Sequence, residues 1–532
     1  MHALVILFSV LFSCFSTVIM AYISMATPIG PWIATTVVLL ASLVMRFFIR
    51  DVQRSAALGY VTMASSIGGI AATAVGFSFP AIHFLVPEQF ALWMHSPVWF
   101  ISIVGGITLA GGLMGLWFAG VVEDDLLYSQ QLSFPIGQLV HKMIIAQEGI
   151  RKSYELIIGF FSTILFHVVQ SGIGIFSRVA WLLPRSLTLL PKVDLGGFSL
   201  PVIRFDIWPL VWAIGFVTGH VIMVPLGVGA LAQIGIIGPV HAWFFSHISF
   251  SDFVLAFASG MVLISAVQGM IKTPKSLWYT VRRWFSERTV LHRNLRSFVS
   301  FEIALIIGIV VGLLSYFQFS LVTQMYLIVG TLVCTYQISV IAGKIGLAQL
   351  GRFATFVMVP ALVGLRVTFV QAIIIATFVE ICGGVAVDVL FGRKTASLLK
   401  LNRVLVKRYQ LLGLGVATLV VGGVIWLLIT RFGLGTDELF VQRAYARALL
   451  VQSGSVDLKV LGLGCLFGYV ISLLRMSPML VLGGVLMPFN LTLGLVAGGC
   501  MTLLTKDRES WYPFWSGVFA AGSLWMLVQA LW

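Results

Sequence analysis

Two acidic residues, Glu380 and Asp388, stand inside an apolar stretch of the chain. Carboxyl groups at membrane depth are costly and commonly belong to ion or proton pathways. On a helix these two residues would lie two turns apart and diverge by about 80°. Because burial favours the protonated form of a carboxyl group, the sequence predicts Glu380, the deeper residue, as a proton-coupling site. Asp388 is a second candidate, with the alternative that it pairs with Arg393 or Lys394.

The segment Phe134-Pro135-Ile136-Gly137 interrupts an apolar run with proline and glycine. Irregular backbone at membrane depth is tolerated only where protein or a water-filled cavity satisfies its amides. The pattern therefore predicts that Phe134, Pro135 and Gly137 border a substrate pathway. A loop lying on the cytoplasmic membrane surface is the alternative, and the sequence leaves both interpretations open.

A glycine-rich break at residues 343–352 contains Lys344 and Gln349. Cations at such a discontinuity can bind an anionic substrate group, although membrane topology alone also accounts for the charge. Three further polar side chains, His167, Gln170 and Gln337, lie in apolar segments. They are candidates for the substrate pathway, with interhelical hydrogen bonding as the alternative role.

Small residues recur every four positions in two apolar segments, at Gly68, Ala72 and Gly76 and again at Gly111 and Gly115. This spacing places the small residues on one helix face and permits close approach of a neighbouring helix. The sequence predicts that these faces serve helix packing.

Motifs for catalysis or cofactor binding are missing from the sequence. The chain has no HExxH or CxxC spacing, no Gly-x-Ser-x-Gly elbow and no phosphate-binding loop. The two carboxylates point in diverging directions, whereas an intramembrane enzyme would need convergent catalytic groups. We therefore expect no enzymatic activity, no bound metal and no cofactor.

The elements that position these residues follow from composition. Of the 532 residues, 59% are hydrophobic and 10% are charged, and the mean hydropathy is +1.04, which excludes an ordinary soluble domain. The net charge of +14 would fit a nucleic-acid-binding protein. The cations lie between apolar stretches, however, so we expect membrane lipids as surroundings and no nucleic acid as a partner.

The hydropathy pattern predicts an all-α polytopic membrane protein with about sixteen transmembrane helices and possible re-entrant segments. The spans are predicted at residues 3–24, 32–49, 57–80, 98–122, 155–178, 207–225, 228–246, 253–271, 299–317, 320–342, 345–364, 368–391, 410–430, 457–475, 479–501 and 511–531. The pieces near Pro225 and Pro239 could also form one broken segment instead of two spans.

Two basic stretches, 272–296 and 392–408, predict the orientation, because short cytoplasmic loops retain positive charge. Both termini are then also expected in the cytoplasm. The arrangement divides the chain into an N-terminal half at 1–271, a cytoplasmic linker at 272–298 and a C-terminal half at 299–532. Duplicated halves are common in secondary transporters, whose substrate sites lie where the repeats meet.

Several segments resemble the oligopeptide transporter (OPT) superfamily. Residues 76–81 are similar to its glycine-rich helix that ends in a Pro-Ala element, and residues 134–137 match its Phe-Pro-x-Gly signature. Residues 388–392 and 410–413 resemble its Asp-x-x-x-Gly and Gln-x-x-Gly block. The sequence departs from the family pattern at residues 343–352, which lack its Asn-Pro element, so we identify the chain as a divergent, bacterial-type member.

This resemblance implies a secondary transporter that moves small peptides or peptide-like solutes across the cytoplasmic membrane. Alternating access coupled to protons is the expected mechanism. A metal-chelate transporter of the same superfamily and a flippase for a lipid-linked intermediate are alternatives. The oligomeric state does not follow from the sequence.

Overall fold

The computed structural model describes residues 2–531 with several internal exceptions. The residues not described are 28–32, 49–50, 133, 147–149, 172–182, 185, 192, 196–197, 201, 251, 255, 259, 262, 265–267, 269–300, 346–347, 437, 453–456 and 506–507. The predicted linker at 272–298 therefore lies outside the described residues, as does the end of the predicted span at 253–271.

The chain forms two compact units. The first unit comprises Met1–Met25, Trp32–Glu148 and Ala266–Leu434, and the second comprises Ala26–Pro31, Gly149–Ser265 and Gly435–Trp532. Each unit thus contains residues from both sides of the predicted linker. That 1–271 and 299–532 are repeated halves stays a prediction.

The regular elements among the described residues of the first unit are all helices. Its elements are α1 (His2–Ala26), α2 (Ala34–Met45), α3 (Asp51–Ser78), α4 (Ala81–Leu85), α5 (Pro87–His95), α6 (Pro97–Glu123), a π-helix (Asp124–Ser129) and α7 (Pro135–Ala146).

The second unit begins with α8 (Ile150–Ser171), followed by four short strands, and continues with α9 (Pro209–Thr218), α10 (His220–Ala232), a π-helix (Gln233–Ile237) and α11 (Gly238–Phe244). The chain then returns to the first unit with α12 (Phe301–Tyr316), α13 (Leu321–Ile345), α14 (Leu350–Gly364), α15 (Phe369–Leu398) and α16 (Arg403–Phe432). The second unit is completed by α17 (Gln442–Gln452), α18 (Leu458–Leu473), α19 (Pro478–Leu486), α20 (Phe489–Leu504) and α21 (Arg508–Leu531).

Seven helical segments in the described part of the chain are long and apolar enough to cross a membrane. They are Ala3–Ala26, Arg54–Leu85, Pro97–Ser129, Met223–Phe244, Leu321–Gly343, Phe369–Leu398 and Arg403–Phe432. Shorter apolar helices of 10–17 residues accompany them. The prediction of an all-α polytopic membrane protein is confirmed, while the count of about sixteen spans stays a prediction.

The helix break predicted between residues 225 and 228 is wrong. The structure places the break at Gly219, whose φ of 78° lies in the left-handed region that glycine adopts readily. Helix α10 then runs through Pro225, and the helical path continues to Phe244. Proline is tolerated within helices of membrane proteins where neighbouring groups can satisfy the carbonyl that the missing N–H leaves free.

Four strands occupy a stretch that the sequence predicts only as a loop. β1 (Ser186–Leu190) pairs antiparallel with β4 (Ile203–Asp206), and β2 (Val193–Leu195) pairs antiparallel with β3 (Phe198–Leu200). The strands precede α9, and Asn490 on α20 donates a hydrogen bond to Asp206 at the end of β4.

Candidate functional site: two buried carboxyl groups on one helix

Helix α15 forms the interior of the first unit. It begins with a capping box, in which Thr368 and Gln371 satisfy each other's backbone N–H groups, and every residue from 372 to 391 is buried. Helix α6 approaches it closely at Gly111 and Gly115, because a Cβ atom at Gly115 would collide with the carbonyl oxygen of Cys382. The absence of side chains at these glycines allows the two backbones to touch.

Both predicted proton-coupling residues lie in this buried stretch. Glu380 is fully buried and Asp388 is 3% exposed. The Ser78 hydroxyl donates to a carboxylate oxygen of Glu380, and the Ser66 hydroxyl donates to Oδ2 of Asp388 over 2.7 Å. Both serines belong to α3, so one neighbouring helix serves both carboxyl groups.

The two serine–carboxyl pairs are separate sites. Eight residues of helix correspond to about 12 Å along the axis, which is too far for direct proton transfer between Glu380 and Asp388. A serine hydroxyl can donate to a carboxylate and accept from a carboxylic acid. Each hydrogen bond can therefore persist when its carboxyl group gains or loses a proton.

An aromatic cluster covers the end of α3 next to Ser78. The ring of Phe79 is fully buried and lies 6.1 Å from Trp93, 5.7 Å from Phe100 and 6.4 Å from Phe90, measured between ring centroids. Apolar rings therefore border the end of the α3–α15 pair at which Ser78 and Glu380 meet.

A small cavity borders Asp388. It has room for about one water molecule, and Thr62, Ser66, Gly392 and Thr395 help to line it. The Thr62 side chain is 2% exposed, and its hydroxyl has no hydrogen-bond partner among the described residues. Apolar side chains such as Met63 and Val140 also line the cavity, but the Asp388 carboxyl group and the Thr62 hydroxyl are polar partners that a water molecule there could bind.

The Phe-Pro-x-Gly segment packs against the same end of α15. Phe134 is fully buried, its backbone N–H donates to the Gly343 carbonyl, and its ring lies edge-on to Phe391 at 5.9 Å. The Gly137 carbonyl accepts a hydrogen bond from Thr395, and a Cβ atom at Gly137 would lie 2.6 Å from the Phe391 carbonyl oxygen. The segment is thus held near Asp388 by backbone contacts that require glycine.

Helix α7 begins at Pro135, directly after the strained residue Phe134, whose φ is 46°. Proline suits the first helical position because its missing N–H would have no helical partner there. Ile136 lines the cavity beside Asp388. Residues 135–146 are therefore helical and packed against α15, and whether they border a substrate pathway stays a prediction.

A third buried acid was not singled out by sequence reasoning. Asp125, in the π-helix that follows α6, is 7% exposed. Its Oδ2 accepts hydrogen bonds from the Tyr336 hydroxyl at 2.7 Å and from the Gln130 amide at 2.8 Å. Its acidic neighbour Glu123 binds Arg393 at 2.7 Å, so Arg393 pairs with Glu123 in this structure, and a pairing of Asp388 with Lys394 stays a prediction.

The other pathway candidates are spread over both units. Gln349 precedes α14 and accepts a hydrogen bond from Arg352, and Gln337 on α13 is 7% exposed. Lys344 lies near the end of α13, and its side chain is outside the described residues. His167 and Gln170 lie on α8 in the second unit.

In that second unit His167 stacks on Trp525 at 5.5 Å, and the Gln170 amide donates to the Ile207 carbonyl. His167 is 3% exposed. Both contacts are of the kind that hold helices and loops together.

The predicted small-residue face of α3 contacts α1. A Cβ atom at Gly68 would lie 2.6 Å from the Thr17 hydroxyl, and one at Gly76 would collide with Ser24. Ala72, between them, is fully buried. Helix α3 therefore presents its glycines to α1 while Ser66 and Ser78 bind the carboxyl groups of α15.

Sequence reasoning missed Ser66, Ser78 and Thr62, because serine and threonine are common in apolar helices and their spacing does not identify a partner. Within the described residues, no cluster of three or more His, Cys, Asp or Glu side chains has a metal-binding arrangement.

These features define a polytopic α-helical membrane protein with paired carboxyl and hydroxyl groups in its interior. A family model described as OPT oligopeptide transporter protein matches residues 3–524. The chain belongs to the OPT oligopeptide transporter family and is therefore a membrane transporter of oligopeptide-type substrates. No curated protein matches it.

Proposed function

We propose that the protein is a proton-coupled secondary transporter that moves small peptides or peptide-like solutes by alternating access. The observation that carries this proposal is the complete burial of Glu380 beside Ser78. An acidic side chain inside a membrane-spanning helix commonly belongs to an ion or proton pathway, and Glu380 is the group proposed to carry the coupled proton. Release of the proton then requires a conformation in which water reaches this group.

Asp388 serves as the second, more accessible proton site in this proposal. The neighbouring cavity and the Thr62 hydroxyl support the role, because a water molecule there would give the carboxyl group a proton acceptor. Substrate binding and proton release are coupled when both require the same rearrangement around α15.

The substrate pathway is proposed to involve Phe134, Pro135 and Gly137. Peptides carry amide groups and a terminal carboxylate, which suit amide side chains and a cation. Additional pathway candidates are His167, Gln170, Gln337, Lys344 and Gln349. Opening and closing would move helices of the two predicted halves, residues 1–271 and 299–532, relative to one another, as in other transporters with repeated halves.

The proposed location is the cytoplasmic membrane with both chain termini in the cytoplasm. The cations between residues 392 and 408 support this orientation. Because the family transports its substrates, we expect no chemical conversion, and peptides should be recovered intact after transport.

Uptake into proteoliposomes under an inward proton gradient tests the function. A labelled mixture of di- to hexapeptides should accumulate intact, and a protonophore should abolish accumulation. An iron chelate and a fluorescent lipid serve as parallel substrates. Accumulation of the chelate alone would favour metal-chelate transport, lipid translocation alone would favour a flippase, and either result would contradict peptide transport.

A further inference from the structure

We propose that a basic groove in the first unit binds an anionic phospholipid of the surrounding bilayer. The groove has a volume of about 1010 Å³ and is lined by residues of α6, α12, the end of α15 and the start of α16. This inference is independent of the transported substrate. It follows from the arrangement of charge and apolar surface around the groove.

The charged lining of the groove carries an excess of cations. Its basic residues are Arg393, Lys400, Arg403 and Lys407, and its acidic residues are Glu123 and Glu302. Four cations against two carboxylates leave a net charge of +2. The groove is therefore electrostatically complementary to a phosphodiester that carries a further negative headgroup charge.

Each of the two carboxylates forms an ion pair with one of the cations. Glu123 pairs with Arg393 at 2.7 Å, and Glu302 pairs with Lys407 at 3.1 Å. Lys400 and Arg403 form no ion pair in the part of the chain that the structure describes. The uncompensated charge is thus concentrated on Lys400, in the α15–α16 connection, and on Arg403, the first residue of α16.

The Arg403 guanidinium is held in position by Tyr128. It donates to the Tyr128 hydroxyl at 2.8 Å and lies 5.1 Å from the centroid of the ring. One donor is used in this contact, whereas a guanidinium has five N–H groups in a planar fork. The remaining donors can bind phosphate oxygens in pairs.

Apolar side chains from three helices complete the groove. Leu116 and Trp117 of α6, Leu305 of α12, and Val404 and Leu411 of α16 line it. Leu305 and Val404 are 54% and 61% exposed. A free phosphate ion would gain nothing from these apolar side chains, whereas the acyl chains of a lipid would pack against them.

The position of the cations along the helices also fits a lipid headgroup. Helix α15 contains 30 residues, which corresponds to about 45 Å and exceeds the hydrocarbon core of about 30 Å. The end of α15 and the start of α16 can therefore extend into the headgroup region while the apolar walls face acyl chains.

Photo-crosslinking tests this site. The purified, full-length protein is reconstituted in phosphatidylcholine nanodiscs that contain a small fraction of photoactivatable phosphatidylglycerol. We expect cross-linked peptides from residues 113–128, 302–306 and 396–411. The double variant Lys400→Gln/Arg403→Gln should lower the apparent affinity for phosphatidylglycerol about twenty-fivefold, since each basic residue near an anionic headgroup contributes about a factor of five.

The matched control is Arg366→Gln/Arg431→Gln, which removes two exposed cations at the opposite ends of α15 and α16. The control should bind phosphatidylglycerol as the wild type does. If the double variant fails to fold, Lys400→Gln alone removes one exposed charge, and we expect a loss of about fivefold.

Three results would overturn the proposal. Equal losses in both double variants would show a general charge effect. Competition by inorganic phosphate at the concentrations that phosphatidylglycerol requires would show an anion site that ignores acyl chains. Displacement of the photolipid by transported peptides would assign the groove to substrate.

Discussion

Glu380 and Asp388 share a helix and a chemical partner but differ in their surroundings. Each accepts a hydrogen bond from a serine of α3. Glu380 is fully buried, near the end of α3 that aromatic rings cover, whereas Asp388 borders a cavity with an unsatisfied threonine hydroxyl. The serine–carboxyl hydrogen bond is therefore fully buried at Glu380, whereas at Asp388 it lies beside space for a water molecule.

This difference favours different roles for the two carboxyl groups. A group that is closed off from water exchanges its proton only when the protein rearranges, which is what coupling requires. A group beside a bound water can exchange protons with less rearrangement. We accordingly expect Glu380 to set the coupling between protons and substrate, and Asp388 to affect mainly the rate.

The largest effect is expected for Glu380→Gln. Glutamine can still accept the Ser78 hydrogen bond but cannot carry the proton. Gradient-driven peptide accumulation should fall at least about tenfold, equivalent to about 1.4 kcal/mol of lost driving force, while peptide exchange across the membrane continues. Radiolabelled uptake and counterflow assays measure the two activities.

The control for this variant is Glu302→Gln, which removes a carboxylate whose side chain is 66% exposed in a surface ion pair. Such pairs contribute little, so uptake should remain near the wild-type level. An equal loss of uptake in Glu380→Gln and Glu302→Gln would contradict a specific role of the buried acid.

A smaller effect is expected for Asp388→Asn. Asparagine retains the acceptor for Ser66, so we expect a reduction in uptake rate of about fivefold, which is about 1 kcal/mol in the barrier. The number of protons moved with each peptide should not change. Simultaneous measurement of proton and peptide flux gives this number. A changed proton-to-peptide ratio would contradict the proposal that Glu380, and not Asp388, sets the coupling.

Removal of the cavity hydroxyl by Thr62→Val should reduce the uptake rate about twofold, or about 0.4 kcal/mol, because a bound water would lose one partner. Thr73→Val is the matched control on α3, since the Thr73 hydroxyl binds the carbonyl of Gly69 within its own helix. Initial-rate measurements on both variants sharpen the comparison. Equal rates for the two variants would argue against a functional water beside Asp388.

Effects on stability, and not on transport rate, are expected for Ser66→Ala and Ser78→Ala. Interhelical hydrogen bonds in membrane proteins contribute about 0.6 kcal/mol on average, so each change should lower thermal stability slightly. Ser65→Ala is the control, because Ser65 binds the Val61 carbonyl of its own helix. A thermal shift assay in detergent compares the three, and a larger loss for Ser65→Ala would contradict a stabilising role of the serine–carboxyl pairs.

Parts of this site follow from the sequence, and others depend on tertiary contacts. The long apolar run around Glu380 and Asp388 predicts a buried helix, and α15 confirms it. The helical divergence of about 80° could not show that both carboxyl groups face α3. Serines supply their partners from a segment about 300 positions earlier, and no periodicity encodes that pairing.

Local backbone geometry also limited what the sequence could predict. Pro225 predicts a break that occurs at Gly219 instead, because an apolar helix can accommodate proline whereas the left-handed conformation favours glycine. The strands at residues 186–206 also escaped prediction, since each is short and β1 pairs with β4 across the intervening pair β2–β3.

The most direct test of the central claim is proton flux during peptide uptake in proteoliposomes with an internal pH dye. Addition of a transported peptide should acidify the lumen with wild-type protein. With Glu380→Gln, labelled peptide should still exchange while the lumen pH stays constant. Peptide-dependent acidification by this variant at the wild-type rate would contradict proton coupling through Glu380.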